Sequence, residues 1–292
     1  MTGILWGLLG AVLIGASDCI ARVTTQKVVV GILFLSIMGL SLLTLSAGLA
    51  FAANWPDWHP VGWGASAISG LLNLVALNFL YRALARGPVA VASPAASTFT
   101  VLLVALNILA GEPWSTLQII AMLIVFTGVA MLARPTNIDA DTKHYDAAWL
   151  RHTAFFGLAA ATAVAVRMFF AQEASAALGA LHALYLNRLF ALLGAIAVVA
   201  YQLKRNGPLN WPKGGIRNLV MVQAVLETSA LGAFLVGSAN GGRVAATIGF
   251  SAFAAATALF AWWWLGERIG WQRGVWIVVT GLGVLLAATT GP

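Results

Sequence analysis

The sequence contains ten stretches of roughly twenty residues that are almost entirely apolar. A helix needs about 20 such residues to cross the hydrocarbon core of a bilayer, so each stretch is long enough to form one transmembrane helix. Only 9% of the residues are charged, so the chain cannot cover a globular surface in water. The sequence therefore predicts an all-α polytopic protein embedded in a lipid bilayer. The predicted spans are 3–22, 30–53, 62–82, 88–110, 115–133, 149–171, 179–202, 218–239, 244–265 and 272–290.

The basic residues divide unequally between the two sides of the membrane that these spans define. Thirteen lie in loops on one side, Arg243 alone lies on the other, and Arg167 and Arg188 lie inside spans. Short loops rich in lysine and arginine stay in the cytoplasm, so the side with thirteen is predicted to be cytoplasmic. An even number of spans then leaves both termini outside. The net charge of +7 is thus explained by topology, and no nucleic-acid partner is expected.

The two halves of the chain resemble each other. Shifting the first half by 155 residues aligns "ARGPVAVAS" with "NGGRVAATI" and "AGEPW" with "LGERI", which places Glu112 on Glu267. Each half has five spans, an odd number, so the copies must have opposite orientations in the membrane. Inverted repeats of this kind are common in secondary transporters. The predicted units are a five-helix repeat at 1–134, a cytoplasmic linker at 135–148 and an inverted five-helix repeat at 149–292.

Two segments carry a resemblance to a known family. "LFAWWWLGERIGWQRGVWIVVTGLGVLL" resembles the fourth and fifth helices of the EamA-type repeat, and "FLYRALARGPVAVASP" resembles the helix-turn-helix that precedes them. The chain is therefore identified as a ten-helix member of the drug/metabolite transporter superfamily, similar to bacterial YddG-type amino-acid exporters. One departure is "GEPW", where the usual arginine after Gly-Glu is missing.

The resemblance implies a central cavity among the first, third, fourth, sixth, eighth and ninth helices. It also implies a bacterial inner-membrane exporter of small metabolites, with aromatic and other neutral amino acids expected, that works by alternating access. The alternatives are export of another metabolite or a drug, or an intramembrane lipid-modifying enzyme. Neither a His-Glu-x-x-His nor a Gly-x-Ser-x-Gly motif occurs, and Cys19 is the only cysteine. We therefore expect no enzyme activity and no cofactor, and a protein that functions as a monomer.

Glu227 is the most constraining polar residue, because it lies near the middle of an apolar span. An acidic group at that depth costs about 2.5–3.5 kcal/mol or more unless a partner, a proton or water compensates it. One interpretation is that Glu227 faces a hydrated cavity and attracts the ammonium group of the substrate or carries a proton. The other is a buried ion pair with Arg188 or Arg167, or a neutral acid hydrogen-bonded to Gln223. The predicted substrate-binding residues are Glu227, Asn73, Asn78, Tyr81, Ser97, Phe99, Arg167, Gln223, Thr228 and Ser251.

The two arginines inside spans also have alternative interpretations. Arg188 matches an arginine often found in the second helix of EamA-type repeats, where an ion pair that sets helix packing is the favoured role. Arg167 could extend to the membrane interface, or its guanidinium could receive a carboxylate. Five aromatic residues are candidates for an aromatic lining of the cavity: Phe79, Phe99, Tyr185, Phe250 and Phe253.

The predicted orientation can be tested directly. Reporter tags fused to either terminus should show an extracytoplasmic location, because both ends fall on the side that carries only Arg243. A matched tag inserted in the 135–148 linker is the control and should report the cytoplasm. Cytoplasmic reporter activity at both termini would reverse the assignment.

Overall fold

The computed structural model describes residues 2–86, 98–132, 147–207, 211–266 and 271–289. Within these ranges every regular element is an α-helix, which confirms the all-α prediction. In chain order the helices are α1 (Thr2–Thr25), α2 (Val30–Ala52), α3 (Pro60–Arg86), α4 (Phe99–Leu109), α5 (Thr116–Leu132), α6 (Ala147–Leu178), α7 (Ala180–Asn206), α8 (Gly215–Gly241), α9 (Arg243–Phe250), α10 (Phe253–Leu265) and α11 (Trp271–Thr289). Seven segments in the described part are long and apolar enough to cross a membrane, and three shorter apolar helices accompany them.

Two of the predicted spans differ from the helices in the structure: one is interrupted and the other is longer. The predicted ninth span, 244–265, is interrupted by a turn between α9 and α10. There the hydroxyl of Ser251 donates to the carbonyl of Ile248 at 2.6 Å, a local bond that competes with regular helix geometry. The predicted sixth span ended at residue 171, whereas α6 continues for two more turns to Leu178. The fourth predicted span, 88–110, is described only from residue 98 onward. The predicted linker, 135–148, is described only at residues 147 and 148.

Helices from the two halves of the chain are interleaved. The most extensive pairs are α3 with α6, α1 with α8 and α5 with α11, and each pair joins one half to the other. Glycines let the backbones approach: a Cβ at Gly10 would lie 3.0 Å from the carbonyl oxygen of Ala230, and one at Gly15 would lie 2.8 Å from the amide nitrogen of Thr257. Small residues at helix contacts are the usual means of close packing in membranes, where lipid and side chains are equally apolar.

The central apolar cluster contains residues from α3, α4, α6, α7, α8 and α9. Three of its members sit beside intramembrane charges along their own helices. Met168 follows Arg167, whereas Leu184 and Leu231 are each one helical turn from a charged residue. The cluster therefore lies beside Arg167, Arg188 and Glu227, the charged residues inside the bundle.

Candidate functional site: four charges inside the bundle

Four charged side chains from different helices lie inside the bundle. Asp18 comes from α1, Arg167 from α6, Arg188 from α7 and Glu227 from α8. Glu227 interacts electrostatically with the other three, and Arg188 also acts on Arg167. Two positive and two negative groups give this set a formal charge of zero. Within the described ranges, no group of three or more histidine, cysteine, aspartate or glutamate side chains could hold a metal ion.

Arg188 and Glu227 form an ion pair, with Nη1 of Arg188 at 3.6 Å from Oε1 of Glu227. Arg188 is 1% exposed, and its Nη2 donates to the main-chain carbonyl of Glu227 at 3.1 Å. Its Nη1 also contacts the sulfur of Met38 at 3.4 Å. The packing role favoured for Arg188 is therefore confirmed. The carboxylate of Glu227 stays 25% exposed, so the ion pair does not enclose it completely.

Gln223 is not the hydrogen-bond partner that one interpretation of Glu227 required. Its Oε1 accepts a hydrogen bond from Thr24 at 2.9 Å, which links α8 to α1. One turn further along α8, Thr228 donates to the hydroxyl of Ser41 at 2.6 Å and so links α8 to α2. These two predicted site residues hold α8 in place on either side of Glu227.

Asp18 is held by the helix that follows the break in the ninth span. The hydroxyl of Thr257 lies 3.3 Å from Oδ2 of Asp18 and donates to it. Cys19 makes a parallel contact, with its sulfur 3.5 Å from the carbonyl oxygen of Thr257. Thr257 thus links Asp18 and Cys19 of α1 to α10.

Arg167 differs from Arg188 in its partners. It lies eleven residues before the end of α6, about 16 Å along the helix axis. Its Nη2 lies 3.4 Å from the sulfur of Met168, a weak acceptor. Its buried Nε has no hydrogen-bond partner in the described part of the chain. Arg167 therefore has donor capacity that its protein neighbours leave unused.

The other predicted site residues are distributed as follows. Asn73 is buried, and its Nδ2 has no hydrogen-bond partner among the described residues, whereas Asn78 is exposed. Ser251 is buried at the helix break and bonds within its own turn. The side chain of Tyr81 and the whole of Ser97 lie outside the described residues.

Three of the five candidate aromatic residues form a row with one ring that the sequence did not single out. Phe99 contacts Phe253 at a centroid distance of 5.6 Å, Phe253 contacts Phe250 at 6.2 Å, and Phe250 contacts Phe234 at 5.1 Å. The row belongs to, or packs on, the central apolar cluster. The remaining two pair elsewhere: Phe79 packs on Phe156, and Tyr185 packs on Trp55.

Sequence reasoning missed two polar contacts between helices. Gln172 on α6 donates to Ser238 on α8 at 2.9 Å, and Asn187 on α7 donates to Ser69 on α3 at 2.7 Å. All four side chains are buried. The sequence does show that each amide lies within or beside an apolar run and therefore needs a hydrogen-bond partner. It does not show which residue that partner is.

Interleaved helices around a charged and polar interior define a multi-pass membrane transporter. The model of the EamA-like transporter family matches residues 1–134 and 152–289, and the chain belongs to that family. One solved crystal structure matches with a TM-score of 0.79 and 17% sequence identity, covering 98% of this chain and 96% of its own. At that identity it shows the shared fold alone. No curated protein matches.

The ion pair between Arg188 and Glu227 generates a stability prediction. Arg188→Met should lower the free energy of unfolding by about 3–5 kcal/mol, because it leaves an uncompensated carboxylate inside the bundle. The double variant Arg188→Met/Glu227→Gln should regain much of that loss. The measurement is unfolding of the purified protein in detergent, with Arg217→Met, an exposed arginine of α8, as the control. A double variant no more stable than Arg188→Met would contradict the pairing.

Proposed function

We propose that this transporter exports amino acids with neutral side chains, aromatic ones included, by alternating access. The observation that carries the proposal is the set of four balanced charges inside the bundle. A zwitterion has a carboxylate and an ammonium group but no net charge, so it can enter such a set without adding an uncompensated charge to the membrane interior.

Arg167 and Glu227 have complementary parts in this proposal. The guanidinium of Arg167 offers unused donors to a substrate carboxylate, since its Nε has no partner in the described residues. Arginine suits this role because its planar fork matches carboxylate geometry. Glu227 is a quarter exposed and accepts the ammonium group, while Arg188, anchored on the main chain of α8, keeps the carboxylate oriented.

The aromatic row supports the choice of side chain. Met168, Leu184 and Leu231 place the central apolar cluster beside the charges, and the rings of Phe99, Phe250 and Phe253 belong to or contact that cluster. Aromatic side chains gain about 0.5–1.5 kcal/mol from ring contacts beyond the area that they bury. A polyanionic substrate is disfavoured, since it would need several convergent cations and Arg188 is already paired with Glu227.

The remaining expectations are part of the same proposal. The protein acts as a monomer in the bacterial inner membrane and carries no cofactor. Export of another metabolite or of a drug is the second candidate, favoured by the apolar and aromatic share of the central cluster. The enzyme alternative receives no support from the family, whose members are transporters.

The flux prediction uses proteoliposomes loaded with labelled neutral amino acids. Glu227→Gln and Arg167→Gln should each reduce efflux at least about tenfold, because each loses a charge-assisted bond of about 1.5–3 kcal/mol to the substrate. Asp57→Asn and Arg217→Gln remove exposed charges elsewhere and are the matched controls. Unchanged flux in a folded Glu227→Gln variant would assign the carboxylate to structure alone. Flux of none of a broad amino-acid panel would remove the substrate proposal.

A further inference from the structure

A second group of charges lies at the end of the bundle where α8 ends and α9 begins. Arg243, the first residue of α9, places its Nε 3.1 Å from Oε1 of Glu112, and its Nη1 pairs with Glu173. The three side chains are 13%, 24% and 32% exposed, so the cluster is partly shielded from solvent. We call these three residues the Arg243 clasp. Charge-assisted pairs of this kind are stronger than neutral hydrogen bonds.

The Arg243 clasp joins the two halves of the protein. Glu112 follows α4 in the first half, whereas Glu173 on α6 and Arg243 belong to the second. Any motion that separates α4 from α6 and α9 at this end must therefore break at least one of the two pairs.

The backbones of α1 and α8 are also in direct contact at this end of the bundle. A Cβ at Gly3 would lie 2.5 Å from the carbonyl oxygen of Gly241, so α1 and α8 touch main chain to main chain. The hydroxyl of Thr2 lies 3.3 Å from the carbonyl oxygen of Asn240 and donates to it. Between α1 and α8 there is thus no room for a side chain at this level.

Buried polar groups without partners lie close to the clasp on the same helices: Asn107 and Gln172 precede Glu112 and Glu173, whereas Ser175 follows Glu173. Asn107 is fully buried, and neither its Nδ2 nor its Oδ1 has a hydrogen-bond partner among the described residues. The same holds for Oε1 of Gln172 and for the hydroxyl of Ser175. Each unsatisfied buried group of this type costs about 1–3 kcal/mol. Water or a polar solute reaching this level would remove that cost.

We propose that the Arg243 clasp is the extracytoplasmic gate of the transporter, closed in this structure, and that Asn107 and Gln172 line the exit passage beneath it. The assignment rests on the alternating access of the proposed function.

The test measures access to Asn107 and needs no substrate, so its result is independent of whether amino acids are transported. Cys19 is replaced by serine and Asn107→Cys supplies a single reporter thiol. A membrane-impermeant sulfonated maleimide is added to right-side-out vesicles. Arg243→Gln should increase the labelling rate on the order of threefold to thirtyfold, the range expected for losing two partly exposed ion pairs. Glu112→Gln should give a smaller increase, and Arg243→Lys should restore slow labelling.

Three results would overturn the gate. The first is an unchanged labelling rate in both Arg243→Gln and Glu112→Gln, which also covers the case where one variant does not fold. The second is an equal increase in Arg217→Gln, an exposed arginine near the opposite end of α8, which would indicate general loosening. The third is an increase seen only when the reagent is added to inside-out vesicles, because the clasp would then face the cytoplasm.

Discussion

The organisation of this protein depends on the cost of placing charge inside a bilayer. A charged group there must be compensated by an opposite charge, by hydrogen bonds or by water. Arg188 is 1% exposed and is paired with both the carboxylate and the main-chain carbonyl of Glu227, although its Nε, like that of Arg167, has no hydrogen-bond partner among the described residues. This pair fixes α7 against α8, and the hydrogen bonds from Thr24 to Gln223 and from Thr228 to Ser41 hold α8 on either side of it. Arg167 and Asp18 then complete a set with no formal net charge, and our proposal of a zwitterionic substrate rests on that balance.

The interleaving of the two halves gives these charges their setting. Because α3 packs on α6 and α1 packs on α8, both halves contribute to the same interior. The central charges and the Arg243 clasp lie at different depths of this interior, with the aromatic row and buried amides on the helices between them. Substrate recognition and gating are thus assigned to separate groups of residues, which different variants can perturb independently.

The spans and the need of Glu227 for a compensating partner were predictable, since apolar length and a lone acid are local properties of the sequence. The partner of Glu227 was not, because the choice between Arg188, Arg167 and Gln223 depends on how helices distant in sequence are rotated. The end of α6 was misplaced for a related reason. Glu173 lies in the part of α6 beyond the predicted span, and its charge is compensated by Arg243, seventy residues away. The break at Ser251 was missed because one serine in an apolar run rarely reveals whether its hydroxyl bonds within its own turn.

The central claim is that the balanced charges recognise both ends of a zwitterion. The most direct measurement is calorimetric binding of phenylalanine, phenethylamine and 3-phenylpropionate to the purified protein. The account predicts that phenylalanine binds at least about tenfold more tightly than either analogue, because phenethylamine lacks the carboxylate that Arg167 would hold and 3-phenylpropionate lacks the ammonium group that Glu227 would hold. Equal affinity for all three compounds would contradict the account, since binding would then depend on the ring alone.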